Sequence, residues 1–332
     1  MSVITGLGVY LPRQRHTAAY IAARSGLPEW VVRDKLGIDE KPVPGSGDDT
    51  NAMGIHAAAE ALAEAGIEAA AVNVLVSITE EYKEYPMWTA GIHAAYQLGA
   101  TRAWAFDIGQ KCGSAILGLK LAQDLQRADL AIDTVLVAGG YRNCDLVDYR
   151  DPNVRFLYSL GAGGGAAVVR RKGAGFELLG SAFVTDGSFS EDVIVPVGGT
   201  RRPLTADNVG DYRLRVTDPA GMKRRLEPKS LDNFVAVVET ACERSGIAVA
   251  HLAYCAMLHV KRSAREALLR RLGIPPERSI DLSHFGHLGQ IDPLLSLKLA
   301  RDQGRLVAGD VAVLVAAGIG YVWNAICVRY AP

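Results

Sequence analysis

The sequence of 332 residues lacks the features that most often direct a chain to nucleic acid or to a membrane. It carries 36 basic and 36 acidic residues, so no overall field attracts a polyanion or an anionic surface. No uninterrupted apolar run approaches the roughly 20 residues that span a bilayer. The opening residues, MSVITGLGVYLP, show no basic segment followed by a long apolar core, as a signal peptide would. These absences predict a cytoplasmic globular protein.

Motifs for metals and bound cofactors are also missing. The five cysteines form no CxxC pair and no zinc-type spacing, and their odd, scattered number fits a reducing compartment. The Gly-rich runs at 160–167 and 316–320 lack a GxGxxG motif between a strand and a helix, so no dinucleotide site is expected. Their amides could stabilise an oxyanion, or they could simply be tight turns. The sequence therefore predicts neither a metal nor a bound cofactor.

Strand-like and helix-like segments alternate along the whole chain, which is typical of an α/β fold with buried sheets. A second, comparable series of segments begins near Phe176. We therefore predict two duplicated, tightly packed halves, residues 1–172 and 173–332. The arginine-rich stretch 196–228 is predicted to be a long loop, either a lid over a substrate channel or a surface excursion.

The stretch DIGQKCGSAILGLKLA, residues 107–122, places Cys112 where an apolar strand meets a helix of small residues. A helix N-terminus favours the thiolate, which is the nucleophilic form of cysteine. Free cysteine is also among the residue types most often buried in protein cores. The local sequence thus leaves two roles open for Cys112, a nucleophile or a core residue.

Two segments of the second half carry histidines that could serve such a nucleophile. His259 ends the apolar strand LAYCAMLH, and ligands of α/β sheets bind beyond the carboxyl ends of strands. His284 and His287 lie in the loop SHFGHLGQIDP, before a helix for which Asp292 is the predicted cap. A zinc site in this loop is disfavoured because no third ligand is evident. A base or proton donor for a thiol is the more economical hypothesis.

These segments follow an order that resembles the β-ketoacyl-ACP synthase III family of thiolase-fold condensing enzymes, nearly from end to end. FDIGQKCGSAILGL resembles the family's nucleophile turn, and LGAGGGAAVV resembles its Gly-rich strand turn. MLHVKRSAREALLRRLGI resembles the segment bearing its first catalytic histidine, and GDVAVLVAAGIGYVWNAICVRY resembles its closing strands. The resemblance implies a five-layered αβαβα thiolase fold from two duplicated halves. It also makes Cys112 the acyl-accepting nucleophile and His259 the first catalytic histidine.

The resemblance implies further residues around that nucleophile. The backbone amides of Cys112 and Gly320 would form the oxyanion hole. Trp30, with Arg33 or Lys35, would flank the entrance for the phosphopantetheine arm or coenzyme A.

The resemblance also implies partners. The chain would form a homodimer with the segment YKEYPMWTAG, residues 82–91, near its interface, and Tyr85 would reach the acyl pocket of the neighbouring subunit. Arg262, in a basic run after His259, would help to dock the phosphates of the donor or an acidic acyl carrier protein.

One departure from the family's pattern concerns its Cys-His-Asn triad. The triad asparagine lies in a short aromatic-Gly-Asn turn, and the matching turn here is Phe285-Gly286-His287. If the alignment shifts by three residues, His284 takes that place instead. Histidine can donate an N–H as asparagine does, but it can also act as a base near neutral pH. We expect His259 to be the principal base and His287 to be its partner or a second donor.

This departure favours an acyltransferase that loads an acyl group from acyl-CoA or an acyl carrier protein onto Cys112. The acyl group would then pass to a hydroxyl or amine acceptor, because such a transfer needs a base and no enolate. The chain is similar in this respect to condensing-enzyme relatives with an altered triad, and that resemblance implies a role in polyketide or antibiotic metabolism. The alternative is a decarboxylative condensation of the acyl-cysteine with a malonyl thioester. A non-catalytic subunit or an acyl-binding module is disfavoured because Cys112 is retained.

Overall fold

A computed structural model describes residues 1–332, in which strands and helices alternate as predicted. The strands are β1 (Val3–Tyr10), β2 (Gln14–Thr17), β3 (Glu40–Val43), β4 (Val74–Ser77), β5 (Trp104–Asp107), β6 (Thr134–Tyr141), β7 (Gly163–Arg170), β8 (Gly175–Thr185), β9 (Val193–Ile194), β10 (Arg215–Val216), β11 (Leu252–Met257), β12 (Val311–Gly318) and β13 (Val322–Ala331). The α-helices are α1 (Ala18–Ser25), α2 (Thr50–Glu64), α3 (Ala90–Leu98), α4 (Ser114–Ala128), α5 (Pro219–Arg244), α6 (Arg262–Leu272) and α7 (Asp292–Asp302). No helix is both long and apolar enough to cross a membrane.

The nine-stranded sheet consists of two runs of strands that repeat one pairing pattern. Its order is β11-β12-β13-β8-β1-β7-β6-β4-β5. In one run β4 is parallel to β6, which pairs antiparallel with β7, and β7 pairs antiparallel with β1. In the other run β11, β12, β13 and β8 repeat this sequence of pairings. The repeat supports the division at residue 172, which stays a prediction.

The two runs are joined only weakly, and helices separate them into layers. β1 and β8 share the residue pairs Val3↔Glu177 and Ile4↔Phe176 and no others. Helices α4 and α7 contact strands of both runs and form the middle layer. Helices α2 and α3 cover the outer face of one run, and α5 covers the other, with α6 packed beside it. The resulting order of layers is the predicted αβαβα arrangement.

Glycine in β6 and β7 lets the outer helix α2 lie directly on the sheet. A Cβ atom at Gly164 would lie 1.9 Å from the carbonyl oxygen of Met53, and one at Gly140 would lie 1.6 Å from that of Thr50. Only a residue without a side chain fits at such distances. The Gly-rich run 160–167 therefore lies largely within a strand, where it allows close packing, rather than in a turn.

The predicted loop 196–228 ends earlier than expected, because α5 already begins at Pro219. The side chain of Asp218 accepts a hydrogen bond from the backbone N–H of Gly221 at 2.9 Å, and Pro219 occupies the first helical turn. A capping aspartate followed by proline is a strong helix start. Pro228 lies inside this helix, so the segment 219–228 is helical.

Candidate active site

Cys112 lies in a short turn between the edge strand β5 and the middle-layer helix α4. Residues Lys111–Gly113 form one turn of 3-10 helix that leads directly into α4. The hydroxyl of Ser114 accepts the N–H of Gln110 at 2.8 Å and donates to the carbonyl of Lys111 at 2.7 Å. These hydrogen bonds close the turn around the cysteine, which is half-buried.

His287 connects Cys112 to a carboxylate. Its Nε2 atom lies 3.1 Å from Sγ of Cys112, and its Nδ1 atom lies 2.5 Å from Oδ2 of Asp292. The other carboxylate oxygen of Asp292 accepts the N–H of Leu288 at 2.7 Å. Asp292 is fully buried, so its charge is compensated by these donors rather than by water. The thiol of Cys112, the imidazole of His287 and the carboxylate of Asp292 are therefore connected by two consecutive close contacts.

The backbone around His287 is held by the end of the first half of the chain. The N–H of His287 donates to the carbonyl of Ser159, and the N–H of Gly161 donates to the carbonyl of His287, both at 2.8 Å. The preceding Gly286 has a φ of 62°, a conformation that favours glycine. These hydrogen bonds therefore fix the position of the His287 side chain relative to Cys112.

The surroundings of His287 favour its protonated form. Burial alone would lower the pKa of His287. The negative charges of Cys112 and Asp292 outweigh this effect and hold the pKa of His287 well above its usual value. A cationic imidazole beside a thiolate is the resting state of many cysteine nucleophiles. The site can therefore hold a cationic imidazole next to the Sγ atom of Cys112.

His259 is close to this arrangement but has a different partner. Its Nε2 atom lies 2.9 Å from the carbonyl oxygen of Gly37, while its Nδ1 atom is buried and has no hydrogen-bond partner. Its backbone N–H donates to Oδ2 of Asp292 at 2.8 Å. Burial lowers the pKa of His259, so its imidazole is held in the neutral form. The structure thus brings His287, rather than His259, within hydrogen-bond distance of the nucleophile.

Asp292 is the functional candidate that the sequence did not reveal. It was expected to cap helix α7, but its side chain forms no cap bond and points to His287 and Leu288 instead. An aspartate shortly after a histidine in a Gly-containing loop is a weak signal. It can be recognised only when the loop is known to fold back on itself.

His284, the other candidate for the Asn position, lies outside the site. Its Nε2 atom is 3.6 Å from a carboxylate oxygen of Asp39, and its side chain is largely exposed. No group of three or more His, Cys, Asp or Glu side chains has a geometry suited to a metal ion.

Gly320 lies in the turn that joins β12 to β13. At the start of this turn, a Cβ atom on Gly318 would lie 3.0 Å from the backbone nitrogen of Cys112. The two chain segments with the predicted oxyanion amides therefore approach each other. That role of Cys112 and Gly320 stays a prediction.

Three of the residues predicted to bind substrate belong to neighbouring segments, because the helical turn Val31–Lys35 contacts helix α6. Trp30 is exposed, and Arg33 pairs with Glu29 at 2.8 Å and with Asp39 at 3.1 Å. Arg262 begins helix α6, where its backbone nitrogen would lie 3.5 Å from a Cβ atom on Gly37. Tyr85 is exposed and packs edge-on against Trp88. The substrate contacts of these residues stay predictions.

Family comparisons agree with this fold. Residues 106–187 match the model for 3-oxoacyl-[acyl-carrier-protein (ACP)] synthase III, and residues 242–330 match the model for its C-terminal part. The chain is 27% identical to the β-ketoacyl-[acyl-carrier-protein] synthase III of Roseiflexus castenholzii, over 99% of this chain and 98% of that protein. It is 28% identical to the 3-oxopimeloyl-[acyl-carrier-protein] synthase of Rhodothermus marinus, over 99% and 94%.

A solved structure shows the same fold. The 3-oxoacyl-[acyl-carrier-protein] synthase III of Aquifex aeolicus superposes with a TM-score of 0.85 at 24% identity, over 99% of this chain and 100% of that one. The fold and the matched segments define an enzyme of the thiolase-fold class. Within that class, the chain belongs to the 3-oxoacyl-[acyl-carrier-protein] synthase III family.

Proposed function

We propose that this member of the family is an acyltransferase that loads an acyl group onto Cys112 and passes it to a hydroxyl or amine acceptor. The observation that carries the proposal is His287, which lies 3.1 Å from Sγ of Cys112 and 2.5 Å from Asp292. A histidine between a nucleophile and a carboxylate is the arrangement of acyl-transfer enzymes that use the histidine as base. An asparagine, which the resemblance leads us to expect at this position, accepts no proton at its amide nitrogen.

The first half-reaction uses the thiolate–imidazolium pair. The thiolate of Cys112 attacks the carbonyl carbon of the donor thioester, and the tetrahedral oxyanion is held by the amides of Cys112 and Gly320. When the carbon–sulfur bond of the donor breaks, the imidazolium of His287 gives its proton to the departing thiolate. The products are an acyl-cysteine, a free donor thiol and a neutral His287.

The second half-reaction uses the same histidine in its neutral form. Acylation removes the thiolate charge, one of the causes that hold the pKa of His287 high against burial. The neutral imidazole then takes the proton of the acceptor hydroxyl or amine as that group attacks the acyl carbon. The carbon–sulfur bond to Cys112 breaks, and the returning thiolate again faces an imidazolium.

Decarboxylative condensation is the second candidate, favoured by the names of the relatives, which are β-ketoacyl or 3-oxopimeloyl synthases. Condensation needs two donors for the enolate oxygen of the malonyl unit. The Nε2 atom of His259 already contacts the carbonyl oxygen of Gly37, so only His287 has its Nε2 atom next to Cys112. The positions of the two imidazoles therefore suit acyl transfer better than enolate stabilisation.

Intact-protein mass spectrometry can separate the two reactions. The enzyme is first acylated with an acyl thioester, and the adduct should be absent from a Cys112→Ala variant. The acyl-enzyme is then mixed either with a malonyl thioester or with an alcohol or amine. We expect the alcohol or the amine, and not the malonyl thioester, to discharge the acyl-enzyme. Discharge by the malonyl thioester into a β-keto product would instead establish a condensing enzyme.

We propose that the acyl donor is carried on coenzyme A or an acyl carrier protein, the latter because the relatives' names refer to such a carrier. The exposed Trp30 and the cations Arg33 and Arg262 would meet the phosphopantetheine arm or the phosphates. No bound cofactor takes part in the chemistry proposed here. We place the enzyme in the cytoplasm, where its five unpaired cysteines suit reducing conditions, and in polyketide or antibiotic metabolism.

We further propose that the chain forms a homodimer through the edge strand β5. This strand ends the sheet, and its Trp104 and the neighbouring Tyr96 of α3 are 51% and 81% exposed. A cavity of about 310 Å³ with mostly apolar walls lies between α3 and β5. An unpaired edge with exposed aromatic side chains favours pairing with a second copy of itself. Such a pairing would bring the exposed Tyr85 towards the partner subunit.

A further inference from the structure

Lys111, the residue before the nucleophile, has an unusual backbone conformation. Its φ is 51°, and Met87 is the only other residue besides glycine with a positive φ. Side chains disfavour this left-handed region, so a surrounding contact must hold it in place. Gly318 also packs closely against this turn, since a Cβ atom at Gly318 would lie 2.9 Å from Cβ of Lys111.

The side chain of Lys111 supplies such a contact. Its ammonium group lies 3.4 Å from a carboxylate oxygen of Glu80 and is also hydrogen-bonded to Glu81. The Glu80 side chain is only 6% exposed, whereas that of Glu81 is 74% exposed. A buried carboxylate makes a stronger and less screened partner than an exposed one. The nucleophile turn is thereby tied to the segment that follows β4.

A second ion pair ties the same segment to the other end of the nucleophile loop. The ammonium of Lys83 lies 2.7 Å from Oδ2 of Asp107, the last residue of β5. Asp107 also accepts the N–H groups of Ala90 and Gly91, at 3.0 and 2.7 Å, at the start of α3. The loop from Asp107 to Lys111 is therefore held at both ends by residues 80–91.

We propose that Lys111 is a positioning residue, whose ion pairs with Glu80 and Glu81 hold the left-handed turn that directs Sγ of Cys112 towards His287. This inference rests on the proposed function only in taking Cys112 as the nucleophile. Without the ion pair, the turn relaxes towards a right-handed conformation. Sγ then moves out of hydrogen-bond distance of the imidazole, and less of the thiolate–imidazolium pair forms.

The test is the rate at which iodoacetamide alkylates Cys112, measured on its peptide by mass spectrometry between pH 5 and pH 9. Lys111→Met should slow alkylation at neutral pH by about 10-fold or more, since misplacing a reacting atom by 1 Å costs up to 100-fold. Its pH profile should move to higher pH, and Lys111→Arg should recover most of the rate. Lys120→Met, which removes a half-buried lysine of α4 paired with Asp124, serves as the matched control and should react as wild type.

Two further variants distinguish a change in the position of Cys112 from a change in the charge around the turn. Lys111→Met combined with Glu80→Gln leaves no uncompensated buried carboxylate at the turn, since Glu81 is exposed, and should stay slow if positioning is the cause. Recovery of the wild-type rate in this double variant would overturn the proposal, as would a wild-type rate and pH profile in Lys111→Met. Glu81→Gln, at an exposed site that folding tolerates, should give a smaller decrease in the same direction. Because alkylation needs neither acyl donor nor acceptor, these outcomes do not depend on whether acyl transfer is the reaction.

Discussion

Oδ2 of Asp292 lies 2.5 Å from Nδ1 of His287, and the same oxygen accepts the backbone N–H of His259 at 2.8 Å. One buried carboxylate therefore orients the imidazole at the nucleophile and fixes the backbone of the second histidine. It also selects the tautomer of His287, because a bond at Nδ1 determines what Nε2 can do. The two histidine segments of the second half thus act as one unit around Asp292.

Asp292→Asn should impair acyl transfer without unfolding the protein. The amide keeps the shape of the carboxylate but removes the charge that orients and stabilises the imidazolium. We expect discharge of the acyl-enzyme onto an acceptor to slow by about 10²- to 10⁴-fold, as for triad carboxylates in general. Single-turnover mass spectrometry measures this rate, and circular dichroism checks the fold. Asp302→Asn, on the exposed side of the same helix, is the control; equal rates in both variants would contradict the assignment of Asp292.

His287→Asn and His259→Asn should differ in severity. His287→Asn removes the proposed base and should slow discharge onto an alcohol by about 10²- to 10⁴-fold. His259→Asn should have a smaller effect, because its Nε2 contacts the carbonyl of Gly37 rather than the thiol. The measurement is again the decay of the acyl-enzyme. The reverse order of severity would restore His259 as the principal base, as the sequence led us to expect.

Charges placed on the outer face of β5 and α3 should prevent self-association. We expect the wild-type chain to have the mass of a dimer in light scattering, and the double variant Tyr96→Glu/Trp104→Glu to have the mass of a monomer. Desolvating these carboxylates in an apolar interface is unfavourable. Leu130→Glu, at another exposed apolar side chain, should remain dimeric. A monomeric wild type would refute the proposed homodimer.

The stability of the fold should decrease as the pH falls through the range in which free histidine titrates. Burial, together with the charges of Lys41 and Arg24, lowers the pKa of His16 to about 4, against 6.5 for the unfolded chain. Between these values the unfolded state binds a proton that the folded state does not, so stability rises with pH there and is lost as pH falls. We expect a loss of about 1 to 2 kcal/mol from this group between pH 7 and pH 5.

Urea unfolding of a His16→Phe variant at both pH values checks this expectation. Phenylalanine can still stack on Tyr20, where the ring centroids now lie 3.8 Å apart, but it does not titrate. The difference in unfolding free energy between the two pH values should therefore become smaller. His251→Phe, at an exposed position, should leave that difference as in wild type. An unchanged pH dependence in His16→Phe would refute the buried neutral state of His16.

Much of the fold could be predicted because its signals are local. Alternating apolar strands and small-residue helices need only neighbouring residues to be recognised, and the order of the segments around Cys112 and His259 carried the family resemblance. The start of α5 was missed although its signal, Asp218 followed by Pro219, is also local.

The arrangement of the site had to come from the tertiary structure. The sequence by itself determined the α/β class, the family and the nucleophile candidate, because these depend on residue types in a fixed order along the chain. It made His259 the principal base, whereas His287 is the histidine that contacts Cys112, and it made Asp292 a helix cap. Those relationships join residues far apart in the chain, and they depend on how the loop after Gly286 lies against Ser159. Distances of about 3 Å between such segments are set by the packing of two runs of strands on one shared helical layer, which no local pattern encodes.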